Sequence, residues 1–221
     1  MHSGIKAIIC DFDGTLWDSY VHGLEKVAIV WPMFGLSLSD NDWDRIHAEW
    51  GAPIPKLLTT LYPDMSQETN DAICAEFDEI DIRKPPKSVA GVRETLELLR
   101  ARGIVFTILS SRDTMSLRKL LVRESLEDHF HHIVGLDLLT HKKPDKRAFD
   151  CTMTELAKLG IKPGECLMIG DTNHDLEAGR NLGIRTVLVR TGPFGRFDLP
   201  DDLDPAHAIH SFADLPKLLA A

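Results

Sequence analysis

A regular alternation of short apolar runs with amphipathic stretches constrains the fold of this chain more than any other feature. Five runs rich in β-branched residues are too short for helices and are predicted to be buried strands: Ile5–Cys10, Ile104–Leu109, His132–Val134, Cys166–Ile169 and Ile184–Val189. Helical periodicity separates most of them, as in Val89–Arg102, which ends just before a glycine. This order predicts an α/β fold, a doubly wound, Rossmann-like parallel sheet with helices on both faces.

One long segment, residues 16–88, interrupts the alternation and contains no convincing strand. Its apolar periodicity predicts four helices, near Val21–Val30, Ser39–Trp50, Pro55–Leu61 and Ser66–Asp81. We therefore expect two domains, an α/β core of residues 1–15 and 89–221 and an all-helical insert of residues 16–88. The four tryptophans fall within the insert or at its edge and are expected to form its core: Trp17, Trp31, Trp43 and Trp50.

Charge and composition exclude several classes of partner. The net charge is −9 and the 25 Lys and Arg residues form no basic stripe, which argues against nucleic-acid binding. The longest charge-free run, Val27–Ser39, has only 13 residues and contains Pro32, so no membrane span is expected. No basic region followed by an apolar stretch opens the chain, and we expect a cytoplasmic location. The four cysteines lack zinc-site spacing and are predicted to be reduced thiols.

Two acidic residues follow the first predicted strand. Asp11 and Asp13 are two positions apart, a spacing that directs both side chains to the same side of an extended chain. Gly14 then allows the backbone to turn away sharply. Two carboxylates at one strand end repel each other unless a cation, a shared proton or the counter-charge of an anionic substrate lies between them.

Groups suited to an anion follow the second and third predicted strands. Ser110 and Ser111 come directly after Leu109, where a hydroxyl and free backbone N–H groups favour a phosphate, although such a pair is also common as a helix N-cap. Lys142 and Lys143 precede Pro144, which restricts the local backbone and can hold one of the two lysines inward.

Two further acids follow the fourth predicted strand. Asp171 comes at the end of this strand, and Asp175 follows four residues later, where a helix begins. Together with Asp11 and Asp13 they place four carboxylates on one edge of the predicted sheet. Carboxylates in this number require a hard cation, and oxygen ligands favour Mg²⁺, with Mn²⁺ as the alternative.

These four groups of residues, in this order, resemble the motifs of the haloacid dehalogenase-like (HAD) superfamily. The matching residues are Asp11–Thr15, Ser110, Lys143 and Gly170–Asp175, and the likeness extends from residue 5 to about residue 190. The phosphoglycolate phosphatase-like branch is the most similar, and residues 16–88 resemble the helical cap of that branch. One departure is Asp145-Lys146, where those enzymes often carry a second proline, so the resemblance does not name a substrate.

The resemblance implies a Mg²⁺-dependent phosphatase that hydrolyses the phosphomonoester of a small metabolite through an aspartyl-phosphate. The metabolite would be phosphoglycolate-like or a sugar phosphate, and the protein a monomer or homodimer that binds neither nucleic acid nor membrane. A sugar phosphomutase of the same superfamily is the alternative, although mutases usually have a histidine where this chain has Gly23. A non-catalytic regulatory or binding protein on the same fold is an alternative of another class.

The resemblance also implies a role for each motif residue. Asp11 would be the nucleophile, and Asp13 would protonate the leaving group and then activate water. Phosphoryl oxygens would be bound by Ser110, the Ser111 N–H and Lys143, with Lys142 as the alternative lysine, and Mg²⁺ would be held by Asp11, the Asp13 carbonyl and Asp171. Asp175 would be a further metal ligand or would position Lys143.

The insert carries most of the negative charge. Residues 16–88 contain six Lys or Arg and thirteen Asp or Glu, a net charge of −7 out of −9 for the whole chain. Such a surface disfavours a leaving group with several additional negative charges. Lys56 follows the turn Gly51–Pro55, where caps of this kind resemble one another in presenting a specificity loop. We expect Lys56 to contact the non-phosphoryl end of the substrate, and the alternative is a solvated lysine at a helix start.

Overall fold

The computed structural model describes residues 4–48, 54–192 and 208–220, which form two compact units. The core unit comprises Met1–Asp18 and Lys87–Ala221, and the helical unit comprises Ser19–Pro86. The helical unit is shorter at both ends than the predicted insert 16–88. At its start the reason is packing, because Leu16 and Trp17 are fully buried among side chains of the core unit.

A parallel sheet forms the centre of the core unit and confirms the predicted α/β fold class. Its strands are β1 (Ala7–Cys10), β2 (Val105–Leu109), β3 (His132–Val134), β4 (Cys166–Gly170), β5 (Arg185–Val189) and β6 (Ala208–Ile209). In the described residues the strand order is β3-β2-β1-β4-β5-β6, and all five neighbouring pairs are parallel. The sequence did not predict β6, because two residues are too few to produce a periodic pattern.

The helices follow the predicted order. They are α1 (Ser19–Met33), α2 (Asp40–Ala48), α3 (Ile54–Leu61), α4 (Gln67–Arg83), α5 (Val92–Ala101), α6 (Thr114–Arg123), α7 (Asp150–Lys158), α8 (Asn173–Leu182) and α9 (Leu215–Ala220). The apolar periodicity of residues 146–159 predicts a single helix, but the segment is divided in two, because Lys146–Phe149 forms a short 3₁₀ turn before α7. The Asp145 side chain accepts a hydrogen bond from the Arg147 backbone and caps this turn.

Side chains of β1 alternate between two apolar cores. Ile8 and Cys10 pack in the cluster that includes residues of α5, α6 and α9, whereas Ala7 and Ile9 pack in the cluster that includes residues of α7 and α8. All four are fully buried. Burying a large apolar side chain contributes about 1.5–3 kcal/mol, so burial on both faces favours the central position of β1 in the sheet.

The order of the strands creates a crevice at one end of β1. The chain passes from β1 to β2 and β3 on one side, and then crosses to β4 on the other side. In doubly wound sheets, ligands bind at the carboxyl ends of the strands where the order reverses. The segments that follow β1, β2, β3 and β4 carry the candidate site residues of the core unit.

The helical unit has its own apolar core, in which α4 packs against both α1 and α3. Trp31 is fully buried there and donates a hydrogen bond from Nε1 to the Tyr62 hydroxyl, 3.0 Å away. Trp43 packs against this core, but Trp17 does not belong to it, contrary to the predicted tryptophan cluster, because it stacks on Phe12 in the core unit. Trp50 lies outside the described residues.

A membrane-spanning segment was not expected from the sequence. No helix within residues 4–48, 54–192 and 208–220 combines the length and the apolar character needed to cross a bilayer.

Candidate active site

Three buried carboxylates meet at the carboxyl ends of β1 and β4. Oxygen atoms of Asp11, Asp171 and Asp175 all lie within 4.8 Å of one another. The three residues are 7%, 2% and 0% exposed, respectively. Parallel pairing brings the two strand ends together, and the Asp11 N–H donates to the Ile169 carbonyl at 2.8 Å.

One lysine connects two of these carboxylates. Lys143 Nζ donates to Asp11 Oδ1 at 2.5 Å, to Asp175 Oδ1 at 2.6 Å and to the Leu109 carbonyl at 3.1 Å. Its side chain is only 5% exposed. Lys142, the alternative lysine of the sequence analysis, is exposed. The structure therefore brings Lys143 to the acidic cluster.

The Asp175 carboxylate is held from both sides. Its Oδ2 atom accepts hydrogen bonds from the Thr172 N–H at 3.1 Å and the Thr172 hydroxyl at 2.6 Å, at the N-terminus of α8. The absence of a side chain at Gly170 is required here, because a Cβ atom would overlap the Asp175 carboxylate. With Oδ1 bound to Lys143, this geometry favours the interpretation that Asp175 positions the lysine.

Glycines surround the Asp171 carboxylate. A Cβ atom at either Gly14 or Gly192 would overlap it, and Gly14 also has a positive φ of 77°. The Thr15 hydroxyl donates to Asp171 Oδ1 at 3.3 Å, and the Thr191 hydroxyl donates to the Gly14 carbonyl at 2.5 Å. Backbone from two loops therefore approaches the Asp171 carboxylate so closely that only glycine fits at these two positions.

The cluster carries more negative charge than Lys143 balances. The pKa of Asp11 is raised to about 7, chiefly by burial and also by the Asp175 carboxylate, whereas Lys143 acts to lower it. Burial and the neighbouring Asp11 and Asp175 carboxylates also raise the pKa of Asp171 well above its ordinary value. Burial lowers the pKa of Lys143, but the two carboxylates outweigh burial and raise it above its usual range.

The donor set and its surroundings fit Mg²⁺. Three carboxylates in one buried cluster supply hard oxygen ligands, and a divalent cation would balance the surplus of negative charge. The residues present therefore match the cation that the sequence predicts.

Asp13 lies apart from the three-carboxylate cluster and pairs with Arg112. Arg112 Nε donates to Asp13 Oδ2 at 3.0 Å, and Nη2 donates to Asp13 Oδ1 at 2.6 Å. The sequence analysis gave Arg112 no role. A signal was available, because Arg112 directly follows Ser110-Ser111 at the end of β2, and β2 is the neighbour of β1 in the sheet.

The two serines after β2 have different environments. Ser110 is 1% exposed, and its Oγ atom accepts a hydrogen bond from the Arg112 N–H at 3.1 Å. Ser111 is exposed. The N-cap of α6 is Asp113, whose side chain accepts from the Ser116 N–H, so the alternative role of the serines as the cap of this helix is wrong.

Lys56 lies in the helical unit, in the first turn of α3. Its side chain is exposed, and its backbone carbonyl accepts hydrogen bonds from the hydroxyls of Thr59 and Thr60. Gly51–Pro53, most of the proposed specificity loop, lie outside the described residues. The role of Lys56 stays a prediction.

Comparison with known proteins agrees with this geometry. A family profile described as haloacid dehalogenase-like hydrolase matches residues 8–189. A pyrophosphatase PpaX from Bacillus mycoides is 26% identical over 230 residues, covering 98% of this chain and 97% of the relative. A phosphoglycolate phosphatase from Aquifex aeolicus is 28% identical over 194 residues, covering 85% and 86%.

The fold is also found among solved structures. The crystal structure of a HAD-superfamily hydrolase, subfamily IA, variant 1, from Geobacter sulfurreducens superposes with a TM-score of 0.71 at 23% identity, covering 98% of this chain and 97% of that chain. This likeness shows the same fold, and the profile match confirms the family that the motifs predicted. The chain belongs to the haloacid dehalogenase-like hydrolase family, and its phosphatase-named relatives support a phosphatase.

Proposed function

We propose that this protein is a Mg²⁺-dependent phosphatase that hydrolyses the phosphomonoester of a small metabolite through an aspartyl-phosphate on Asp11. The observation that carries the proposal is the buried cluster of Asp11, Asp171 and Asp175 with Lys143 at its centre. Relatives named phosphoglycolate phosphatase and pyrophosphatase support a small phosphorylated substrate. A cytoplasmic location and a monomeric or homodimeric state remain predictions.

The reaction has two phosphoryl-transfer steps. In the first, the Asp11 carboxylate attacks phosphorus, the bond to the leaving oxygen breaks, and Asp13 gives its proton to the departing alkoxide. In the second, Asp13 takes a proton from water, which attacks the phosphorus of the aspartyl-phosphate and releases inorganic phosphate from Asp11. Asp13 regains the proton that it lost, and Asp11 regains its carboxylate.

The remaining charged and polar groups stabilise the phosphoryl oxygens. Lys143, the Ser110 hydroxyl and the Ser111 N–H would bind these oxygens, whose negative charge must be offset in both transition states. Asp175 holds Lys143 in place from the side opposite Asp11. Buried donors of this kind act strongly, because little water competes with them.

Mg²⁺ would be held by the carboxylates of Asp11 and Asp171 and by the Asp13 carbonyl. When bound, the ion neutralises charge on the phosphoryl group and on the nucleophile. Lys56 is proposed to contact the non-phosphoryl end of the substrate, a single carboxylate or several hydroxyls, because Lys56 and Arg45 are the only cations between residues 27 and 82 of the acidic insert.

Phosphate release from p-nitrophenyl phosphate and from a panel of phosphorylated metabolites tests the proposal. We expect activity with Mg²⁺, none with EDTA, and loss of more than about a hundredfold in Asp11→Asn, since removing a covalent nucleophile typically costs far more. Asp128→Asn is the matched control, because this exposed residue of the core unit lies outside the site.

Two results would contradict the proposal. Full activity in EDTA would exclude a required metal ion. An Asp11→Asn variant that keeps a tenth of the activity would exclude Asp11 as the nucleophile. Conversion of a sugar phosphate to its isomer, dependent on a bisphosphate primer and without net phosphate release, would replace the phosphatase by a phosphomutase.

A further inference from the structure

We propose that Arg112 is a positioning residue that holds the Asp13 carboxylate for the second step, the hydrolysis of the aspartyl-phosphate. This inference rests on the proposed function, in which Asp13 accepts the proton of the attacking water. It adds one residue that the motifs do not contain. The role requires a geometry that fixes Asp13 and a rigid support for Arg112, and both can be examined in the structure.

The contact between the two side chains is a two-point ion pair. Nε and Nη2 of Arg112 each donate to a different oxygen of Asp13, at 3.0 and 2.6 Å. Two parallel hydrogen bonds fix the plane of a carboxylate, whereas one would leave it free to rotate. The side chains are 29% and 34% exposed, so water can reach the pair.

The backbone of Arg112 is fixed on both sides. Its N–H donates to Ser110 Oγ at 3.1 Å, and its carbonyl accepts from the Leu136 N–H at 2.9 Å. Gly135 packs so closely that a Cβ atom there would overlap the Arg112 carbonyl and the Thr114 N–H. These contacts make the 112–114 turn part of the scaffold at the end of β2.

The guanidinium group of Arg112 also lies over the aromatic ring of Phe12. Arg112 Cζ lies 6.0 Å from the centroid of the Phe12 ring, at the outer limit of a cation–π contact. Phe12 is fully buried and stacks on Trp17 with 4.6 Å between the ring centroids. The support of Arg112 therefore comes from the same loop that carries Asp11 and Asp13.

The two site cations have separate partners. Lys143 binds Asp11 and Asp175, whereas Arg112 binds Asp13. This division keeps the acid–base carboxylate apart from the nucleophile, although only Phe12 separates them in the chain. Without Arg112, the Asp13 carboxylate would lose both fork contacts and the orientation that they impose.

p-Nitrophenyl phosphate isolates the second step, because its good leaving group departs without a proton donor. With rapid mixing in Mg²⁺, we expect Arg112→Met to keep the burst of p-nitrophenol and to lower kcat about 10- to 100-fold, a loss within the range of general acid–base catalysis. KM should fall with kcat and leave kcat/KM little changed, because formation of the aspartyl-phosphate is unaffected. Asp13→Asn should give the same pattern.

Two further variants control for charge and for folding. Arg112→Lys keeps the positive charge but loses the fork, so its kcat should lie between those of the wild type and Arg112→Met. Arg118→Met removes another arginine of the core unit, one that pairs with Glu127 away from the site, and should leave both kinetic constants unchanged. If Arg112→Met does not fold, the Arg112→Lys variant still tests the split between kcat and KM.

The outcomes separate this inference from the proposed function. If Asp13→Asn keeps the burst with a lower kcat but neither Arg112 variant lowers kcat, the role of Arg112 is wrong and the proposed function stands. If the Arg112 variants raise KM at constant kcat, Arg112 binds substrate and does not position Asp13. If Asp13→Asn changes neither step, the acid–base role of Asp13 fails, and the inference fails with it.

Discussion

Replacement of Lys143 by methionine tests the electrostatic balance of the site. Lys143 is the cation inside the three-carboxylate cluster, with contacts of 2.5 and 2.6 Å to Asp11 and Asp175. Methionine keeps most of the buried apolar stem and removes the charge. The formal charge of the three acids and the lysine changes from −2 to −3, and none of these side chains is more than 10% exposed.

The expected loss of stability is large. Removing one partner of a buried ion pair costs about 3–5 kcal/mol, because the other charge remains buried without compensation. Two carboxylates lose the same partner here, but protonation of Asp11 and Asp171, whose pKa values are already raised, relieves part of the cost, so we expect a loss in the lower part of that range. A domain has a stability of about 5–15 kcal/mol, so we expect Lys143→Met to fold with a lower midpoint.

Urea unfolding at pH 7 in EDTA measures this loss, and phosphate release in Mg²⁺ measures the activity. Lys158→Met is the matched control, because this exposed lysine pairs with Glu155 on the surface of α7 and its replacement should cost less than about 1 kcal/mol. The double variant Lys143→Met/Asp175→Asn returns the formal charge to −2. It should therefore be more stable than Lys143→Met alone, but equally inactive.

Two results would refute this reasoning. A loss below about 1 kcal/mol in Lys143→Met would show that the lysine does not compensate the buried acids. A double variant that is less stable than the single one would show that Asp175 contributes through its contacts with Thr172 rather than through its charge.

Three further predictions concern metal, pH and specificity. Mg²⁺ should raise the Tm of the wild type but not that of Asp171→Asn, since an ion that binds only the folded state stabilises it; an equal shift in both would exclude Asp171 as a ligand. Burial tends to raise the pKa of Asp81, but hydrogen bonds from His22 and Lys26 outweigh burial and hold this pKa below its ordinary value. The contribution of the Asp81 carboxylate to the free energy of unfolding is therefore complete above the ordinary pKa of an aspartate and is lost as the pH falls through the lowered pKa of the folded state. In urea unfolding, the stability advantage of the wild type over Asp81→Asn should shrink from pH 6 towards about pH 3. Lys56→Ala should lower kcat/KM for the best metabolite more than for p-nitrophenyl phosphate, and an equal change in both would exclude a contact with the leaving group.

The sequence predicted the fold well where its patterns repeat. The runs that became β1 to β5 are β-branched and bounded by helical periodicity, and burial on both faces selects such residues. The short β6 and the 3₁₀ turn Lys146–Phe149 were missed, because neither extends over enough residues to show a period. Trp17 was misassigned for a related reason, since an apolar residue at a boundary packs with either neighbour.

The position of the site at the strand ends was predictable from the sequence, but the pairing of its basic side chains with its carboxylates was not. Parallel strands end at one edge of the sheet, so Asp11, Ser110 and Asp171 had to lie near one another once the strands were known. Which cation meets which carboxylate depends on side-chain reach across that edge. Lys143 forms an ion pair with Asp11, and Arg112 forms one with Asp13. The alternation of side chains along a strand predicts Asp11 and Asp13 on the same side, but β1 ends at Cys10, so both residues lie beyond the strand, where this alternation no longer sets their directions. Asp11 is buried within the cluster, whereas the Asp13 side chain is 34% exposed, as its proposed role of taking a proton from water requires.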